Sequence, residues 1–118
     1  MQVREIINLK GGTLYTATPQ QTLASAIDTM AELDVGSLVV MDGGKMAGML
    51  TFREVLLAMK AHESCPVGVT VGEVMVKDPV VAIPTMEAND LRRLMIEKHS
   101  RYLPVVEGDT LMGVISFL

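Results

Sequence analysis

Residues 17–53 can be laid over residues 82–118 at a fixed offset of 65 with no gap, and nine of the 37 pairs are identical. They are Ala17/Ala82, Pro19/Pro84, Met30/Met95, Glu32/Glu97, Leu38/Leu103, Val40/Val105, Gly43/Gly108, Gly48/Gly113 and Phe52/Phe117. Unrelated sequence of ordinary composition gives about two. The match continues upstream at another offset, where Val3-x-Glu5-Ile6 echoes Val71-x-Glu73-Val74, with a surplus of three residues around Lys10-Gly11-Gly12 in the first copy. The chain therefore has to fold as one supersecondary unit made twice.

Each copy reads alike. Leu14–Ala17 before Pro19, and Val80–Ile83 before Pro84, suit a short strand ended by a turn. A helical period follows, with Leu23, Ala26, Ile27, Met30 and Leu33 on one face, and Ala88, Leu91, Leu94, Met95 and Lys98 in the second copy. Thr22 suits the N-cap of the first helix, and Thr85 or Glu87 opens the second. Two strands come next, Ser37–Met41 and Lys45–Leu50, around Asp42-Gly43-Gly44, a strong hairpin signal. Their counterparts are Tyr102–Val106 and Leu111–Ile115, with Pro104 marking an edge or irregular strand. A helix from Arg53 to about His62, with Val55, Leu56 and Met59 as its apolar face, closes the first copy. Short helices are expected at Val3–Leu9 and Val71–Val76, and residues 63–69 form a linker. The predicted fold is α+β: tandem β-α-β-β-α repeats over 1–62 and 70–118, the second lacking its final helix.

Composition narrows the function. The chain is 49% hydrophobic, yet its longest unbroken apolar run is the five residues Val55–Met59. A membrane-spanning helix needs about 20, so no membrane association is expected. Net charge is −4, the basic residues are scattered, and there are two Tyr, two Phe and no Trp. Nucleic-acid binding calls for a basic stripe or stacking aromatics, so it is not expected either. The charged start Met1–Glu5 lacks a signal core and Cys65 is the single cysteine, which suits a reducing cytoplasm. Ten methionines read first as adaptable core filling.

Thr51-Phe52-Arg53-Glu54 opens the helix after the hairpin. Thr followed three residues later by Glu is a capping box, a purely structural device. The same geometry also suits a nucleotide: helix N–H groups, the Thr51 hydroxyl and the Arg53 fork for phosphate, the Glu54 carboxylate for ribose hydroxyls. The motif alone does not choose between the two. His62-x-x-Cys65 offers two metal-type ligands, too few for a site. Neither histidine nor Cys65 has an orienting acid at a catalytic spacing, and Gly11-Gly12 and Gly43-Gly44 are not phosphate loops.

Thr16-Ala17-Thr18-Pro19, the run DVGSLVVMDGGKMAGMLTFREV over 34–55, VGEVMVKDPVVAIP over 71–84 and SRYLPVVEGDTLMGVIS over 100–116, in this order, resemble a pair of cystathionine β-synthase (CBS) domains. Such a pair is a Bateman module, here of the small stand-alone bacterial type. The resemblance implies mixed three-stranded sheets packed about a pseudo-twofold axis, with two clefts between the repeats that take adenosyl ligands. AMP, ADP or ATP is the expected class, with S-adenosylmethionine or a dinucleotide as variants. It implies Thr16, Ala17, Ser37, Leu38, Thr51, Arg53 and Glu54 for one cleft. For the other it implies Val81, Ala82, Arg101, Tyr102, Leu103, Pro104 and Ser116. Lys10 reads first as an ordinary solvated side chain, with a phosphate contact in the first cleft as the alternative.

Two departures stand out. Glu54 sits where the family usually has Asp, and the sequence ends at Leu118, one residue short of the position matching Glu54, so a shortened C-terminus and a doubtful second cleft are expected. The implied function is a regulatory module, not an enzyme, that signals ligand occupancy through the packing of a homodimer to an unidentified effector protein. The implied dimer forms through the helices after the first and third strands, and Met30, Met59 and Met95 are the expected contact face. The alternative is a ligand-free dimerisation module.

Overall fold

The computed structural model describes residues 1–10, 14–62 and 67–116. The expectations resting on the Lys10 side chain, Gly11-Gly12, Cys65 and Phe117–Leu118 lie outside the described residues. The elements in order are α1 (Val3–Lys10), β1 (Thr16–Ala17), α2 (Leu23–Leu33), β2 (Ser37–Asp42), β3 (Lys45–Thr51), α3 (Phe52–His62), α4 (Val71–Val74), β4 (Val76–Lys77), α5 (Ala88–Glu97), β5 (Tyr102–Glu107) and β6 (Thr110–Ser116).

These elements gather into two compact units whose borders differ from those of the sequence repeat. The first unit is the continuous stretch Tyr15–Asp78, and the second combines Met1–Leu14 with Pro79–Leu118. The leading helix of each repeat thus packs into the unit that holds the other repeat's strands. In the first unit the Leu23 N–H donates to the Val69 carbonyl and the Val71 N–H to that of Gln21, both at 2.8 Å, which ties α4 to the start of α2. In the second, the Val3 N–H donates to the Met86 carbonyl and the Ala88 N–H to that of Met1, also at 2.8 Å.

The first unit carries a four-stranded sheet in the order β1-β2-β3-β4. β1 runs parallel to β2, and the other neighbours are antiparallel. The β2–β3 hairpin turns at Gly43 and Gly44, both at positive φ, which a glycine pair adopts without steric cost. Its core joins Ala17, Leu23, Ala26, Met30, Leu38, Val40, Leu50, Ala58 and Val71. Leu23, Leu38 and Leu50 are fully buried, and each such side chain contributes roughly 1.5–3 kcal/mol. Thr22 caps α2, its Oγ accepting from the Ser25 N–H at 3.1 Å.

The second unit repeats the plan with fewer strands. β5 and β6 form a two-stranded sheet, and Ala82 touches β5 through a single parallel bridge to Val105. Pro104 lies within β5, where its carbonyl accepts from the Ala82 N–H at 2.9 Å and its missing N–H leaves a ladder position empty. A register shift follows it, between Val105 and Val106, and the same shift occurs in the first hairpin between Val40 and Met41. Val3, Ile7, Ala82, Leu91, Met95, Leu103, Val105 and Ile115 make this core.

Several expectations are corrected. Four and two strands replace the expected three per sheet, because β4 adds to the free edge of β3 and Val80–Ile83 supplies only one bridge. The helix expected to reach Val76 stops at Val74, where Met75 turns to extended backbone and releases Val76–Lys77 into the sheet. On α3 the buried residues are Glu54 and Ala58, and Leu56 and Met59 face outward. Leu33 also leaves the core. Met30 and Met95 are buried inside the two cores and cannot form a contact face with Met59.

Candidate functional site

Three chain segments meet at one end of the four-stranded sheet. β1 enters there beside the start of β2, with Thr16 opposite Val39 and Ala17 opposite Val40. β3 leaves there, so that Ser37 lies opposite Thr51 and Leu38 opposite Leu50. α3 begins at the next residue, its Phe52 N–H held by the Gly36 carbonyl at 3.2 Å. The fold therefore brings Thr16, Ala17, Ser37, Leu38, Thr51, Arg53 and Glu54 to one sheet end, as their separated places in the sequence require for a common site. Ala17 and Leu38 are buried in the first core, while Thr16 and Arg53 are exposed.

Glu54 dominates the polar part. It is 6% exposed, the one charged residue in the core among the described residues. Its Oε1 accepts from both the Thr51 N–H and the Thr51 hydroxyl, each at 2.7 Å. The Thr51 Oγ in turn accepts from the Arg53 N–H at 3.3 Å. This is a capping arrangement in which Glu reaches back to the N-cap residue, as in the capping box, although the threonine serves the second helical N–H instead of the third. Glu54 Oε2 has no hydrogen bond among the described residues; its nearest cation is Arg53 Nη1 at 3.9 Å. That leaves one carboxylate oxygen able to accept from a ligand hydroxyl, beside a guanidinium that is 75% exposed.

The device recurs without a site around it. Glu73 accepts from the Thr70 N–H at 2.8 Å at the start of α4, and Glu5 accepts from the Gln2 N–H at 3.3 Å at the start of α1. Neither carboxylate is buried, and neither stands at a sheet end that gathers other candidate residues. Burial and surroundings separate Glu54 from its two analogues, and neither could be read from the three-residue spacing that all three share.

In the second unit Tyr102 lies opposite Ser116 and Leu103 opposite Ile115, the register that places Ser37 opposite Thr51 in the first. Ala82, Leu103 and Pro104 are buried, Val81, Tyr102 and Ser116 half-buried, and Arg101 exposed. The second set of candidates is thus also gathered at one sheet end. No described residue supplies a carboxylate in the place of Glu54. His99 holds φ +52° after the end of α5, just before this set, and matches Asp34 at φ +54°. Among the described residues there is no group of three or more His, Cys, Asp and Glu fit for a metal ion, and no helix long and apolar enough to cross a membrane.

The chain was compared with known proteins. The family model for the CBS domain matches twice, over residues 3–61 and 71–117. The CBS domain-containing protein YhcV of Bacillus subtilis is 34% identical over 102 residues, 86% of this chain and 71% of that protein. Other curated relatives are longer, and the chain spans from 13% to 62% of their lengths. Among solved structures, the CBS-domain protein ATU1752 of Agrobacterium tumefaciens superposes with a TM-score of 0.92 at 26% identity, covering 98% of this chain and 93% of that one. CBSX2, solved in complex with AMP, gives 0.75 at 26% identity over 87% and 81%. The hexameric CBS-CP12 protein of bloom-forming cyanobacteria gives 0.85 at 28% identity over 98% and 66%.

Proposed function

Because the chain belongs to the CBS-domain family, whose pairs act as regulatory modules, we propose that it is a non-enzymatic sensor of an adenosyl ligand of the AMP, ADP and ATP class. The proposed site is the sheet end of the first unit. Ala17 and Leu38 face the base there, Glu54 accepts from the ribose hydroxyls, and Arg53 meets phosphate. The observation that carries this is the buried Glu54 carboxylate with one oxygen committed to Thr51 and the other lacking a hydrogen bond among the described residues. Among the described residues no buried side-chain oxygen lacks a partner, so this oxygen is open to solvent, where a ribose hydroxyl can take the place of water. The AMP in CBSX2 supports the ligand class. The Val81, Ala82, Arg101, Tyr102, Leu103, Pro104 and Ser116 set is proposed as a second site. Occupancy is passed to an effector through the packing of a homodimer in the cytoplasm.

Mass spectrometry of small molecules released from the purified protein tests the proposal. An adenine compound in stoichiometric amount is the expected result, and protein that is empty and stays empty after soaking in AMP contradicts it. One observation favours a second reading, that of a ligand-free dimerisation module: α3 exposes Phe52, Leu56 and Met59 on its outer side.

A further inference from the structure

We infer that two copies of this chain pair with opposite polarity, the outer side of α2 in one copy against the outer side of α5 in the other. The inference rests on the homodimer reading above and adds to it which surfaces meet. α2 and α5 are equivalent in the repeat, so a position on α2 has its counterpart 65 residues further on in α5. Residues three or four apart share one side of a helix. Asp28 and Ala31 stand together on α2, and their counterparts on α5 are Arg93 and Ile96. All four are exposed.

The two helices differ in the properties that govern pairing, charge and size. Residues 23–36 hold three carboxylates, Asp28, Glu32 and Asp34, and no Lys or Arg. Residues 88–101 hold four cations, Arg92, Arg93, Lys98 and Arg101, against the two carboxylates Asp90 and Glu97. Among the described residues none of the three carboxylates of 23–36 is in an ion pair, and the four cations make one, Arg93 to Asp90 at 3.4 Å, which is exposed and contributes little. Size differs as well, since Ala31 stands where α5 has Ile96, a side chain 58% exposed. Pairing like helices would set Asp28 against Asp28 and Arg93 against Arg93, with Ile96 against Ile96 and a gap between two alanines. Pairing α2 with α5 sets carboxylate against guanidinium and gives each Ile96 the space above an Ala31. A twofold axis makes this contact twice. Only residues 18–22 separate α2 from β1, which carries Thr16 and Ala17 of the proposed ligand site. Each contact therefore joins the site of one copy to the second unit of its partner.

Sedimentation equilibrium of the whole chain and of charge-reversed variants tests this, with melting temperature as the folding control. Asp28→Arg alone, and Arg92→Asp with Arg93→Asp, are each expected to weaken the dimer about tenfold, because each turns attraction into repulsion at two symmetric contacts. All three substitutions in one chain are expected to restore the dimer to within about threefold of the parent. Reversals that leave the dimer unchanged overturn the inference, and so does a combined variant that pairs no more tightly than its components. The homodimer reading stands in both cases. Cross-linking checks the polarity independently of these energies. With Cys65→Ser as background, Ala31→Cys mixed with Ile96→Cys and oxidised with copper phenanthroline is expected to give a disulfide-linked dimer that neither variant gives alone. Linked dimers from either variant alone, or none from the mixture, overturn the inference. A parent chain that is monomeric at micromolar concentration overturns the homodimer reading, and this inference with it.

Discussion

Glu54 caps α3 with one oxygen and is proposed to meet a ribose with the other, and substitutions can separate the two. Glu54→Gln keeps an oxygen that can accept from both the Thr51 N–H and hydroxyl, so its stability is expected to stay within about 0.5 kcal/mol of the parent, since Gln serves a capping box as Glu does. The variant removes the charge offered to the ribose, and affinity for adenosine is expected to fall several-fold, because hydrogen bonds to charged groups contribute about 1.5–3 kcal/mol against about 1 for neutral ones. Glu54→Ala strips the cap as well and is expected to cost about 1–3 kcal/mol. Urea titration and calorimetry on both variants check this. Unchanged adenosine affinity in Glu54→Gln would make Glu54 a cap alone. The three-residue spacing of Thr51 and Glu54 is enough to disclose the cap. It does not disclose that the Thr51 hydroxyl points at the carboxylate, because that depends on Glu54 being drawn inward beside Ala58.

Between elements, the twice-used plan explains a pair of glycines. Gly48 and Gly113 are equivalent in the repeat, and each lies where the exchanged leading segment crosses a strand. A Cβ on Gly48 would stand 2.4 Å from the Val76 carbonyl oxygen, which β4 pairing fixes. A Cβ on Gly113 would meet the Ile7 Cδ1 at 2.9 Å, the movable end of a side chain. Gly48→Ala is therefore expected to cost about 3 kcal/mol or more, and Gly113→Ala about 1 kcal/mol or less, in denaturant unfolding. Equal costs would contradict the account of the crossing.

The same exchange governs which piece folds alone. Residues 15–78 contain the whole first core, including Val71 of α4. Residues 1–62 lack α4 and carry α1, whose Val3 and Ile7 belong to the other core. Circular dichroism and denaturant titration are expected to show cooperative folding for 15–78 and not for 1–62. The hairpins, α2 and α5 are legible in the sequence through turn residues and period. β4 is not, because two residues, Val76 and Lys77, carry no alternation and pair only where β3 has a free edge. The outward face of α3 escapes the sequence for a related reason: the apolar count favours Leu56 and Met59, while the cap at Thr51 sets the rotation.

At the scale of the molecule, that outward face has to be accounted for. Phe52, Leu56 and Met59 are 54%, 65% and 43% exposed at successive turns of α3, a stripe that suits a self-complementary contact between copies. Leu56→Asp is expected to convert a dimer to a monomer by light scattering at micromolar concentration, with little loss of unit stability because the side chain is not in either core. A parent that is already monomeric, or hexameric as CBS-CP12 is, contradicts the dimer.

The central claim, that this chain senses an adenosyl ligand, is tested most directly by thermal unfolding of the parent chain with AMP or GMP. A ligand present at about 100 times its Kd stabilises a fold by about 2.7 kcal/mol. For a chain of this size that is a rise of roughly 10 °C in Tm. AMP at millimolar concentration is expected to produce a rise of that order and GMP none. A Tm that does not move with AMP, ADP, ATP or adenosine contradicts the account.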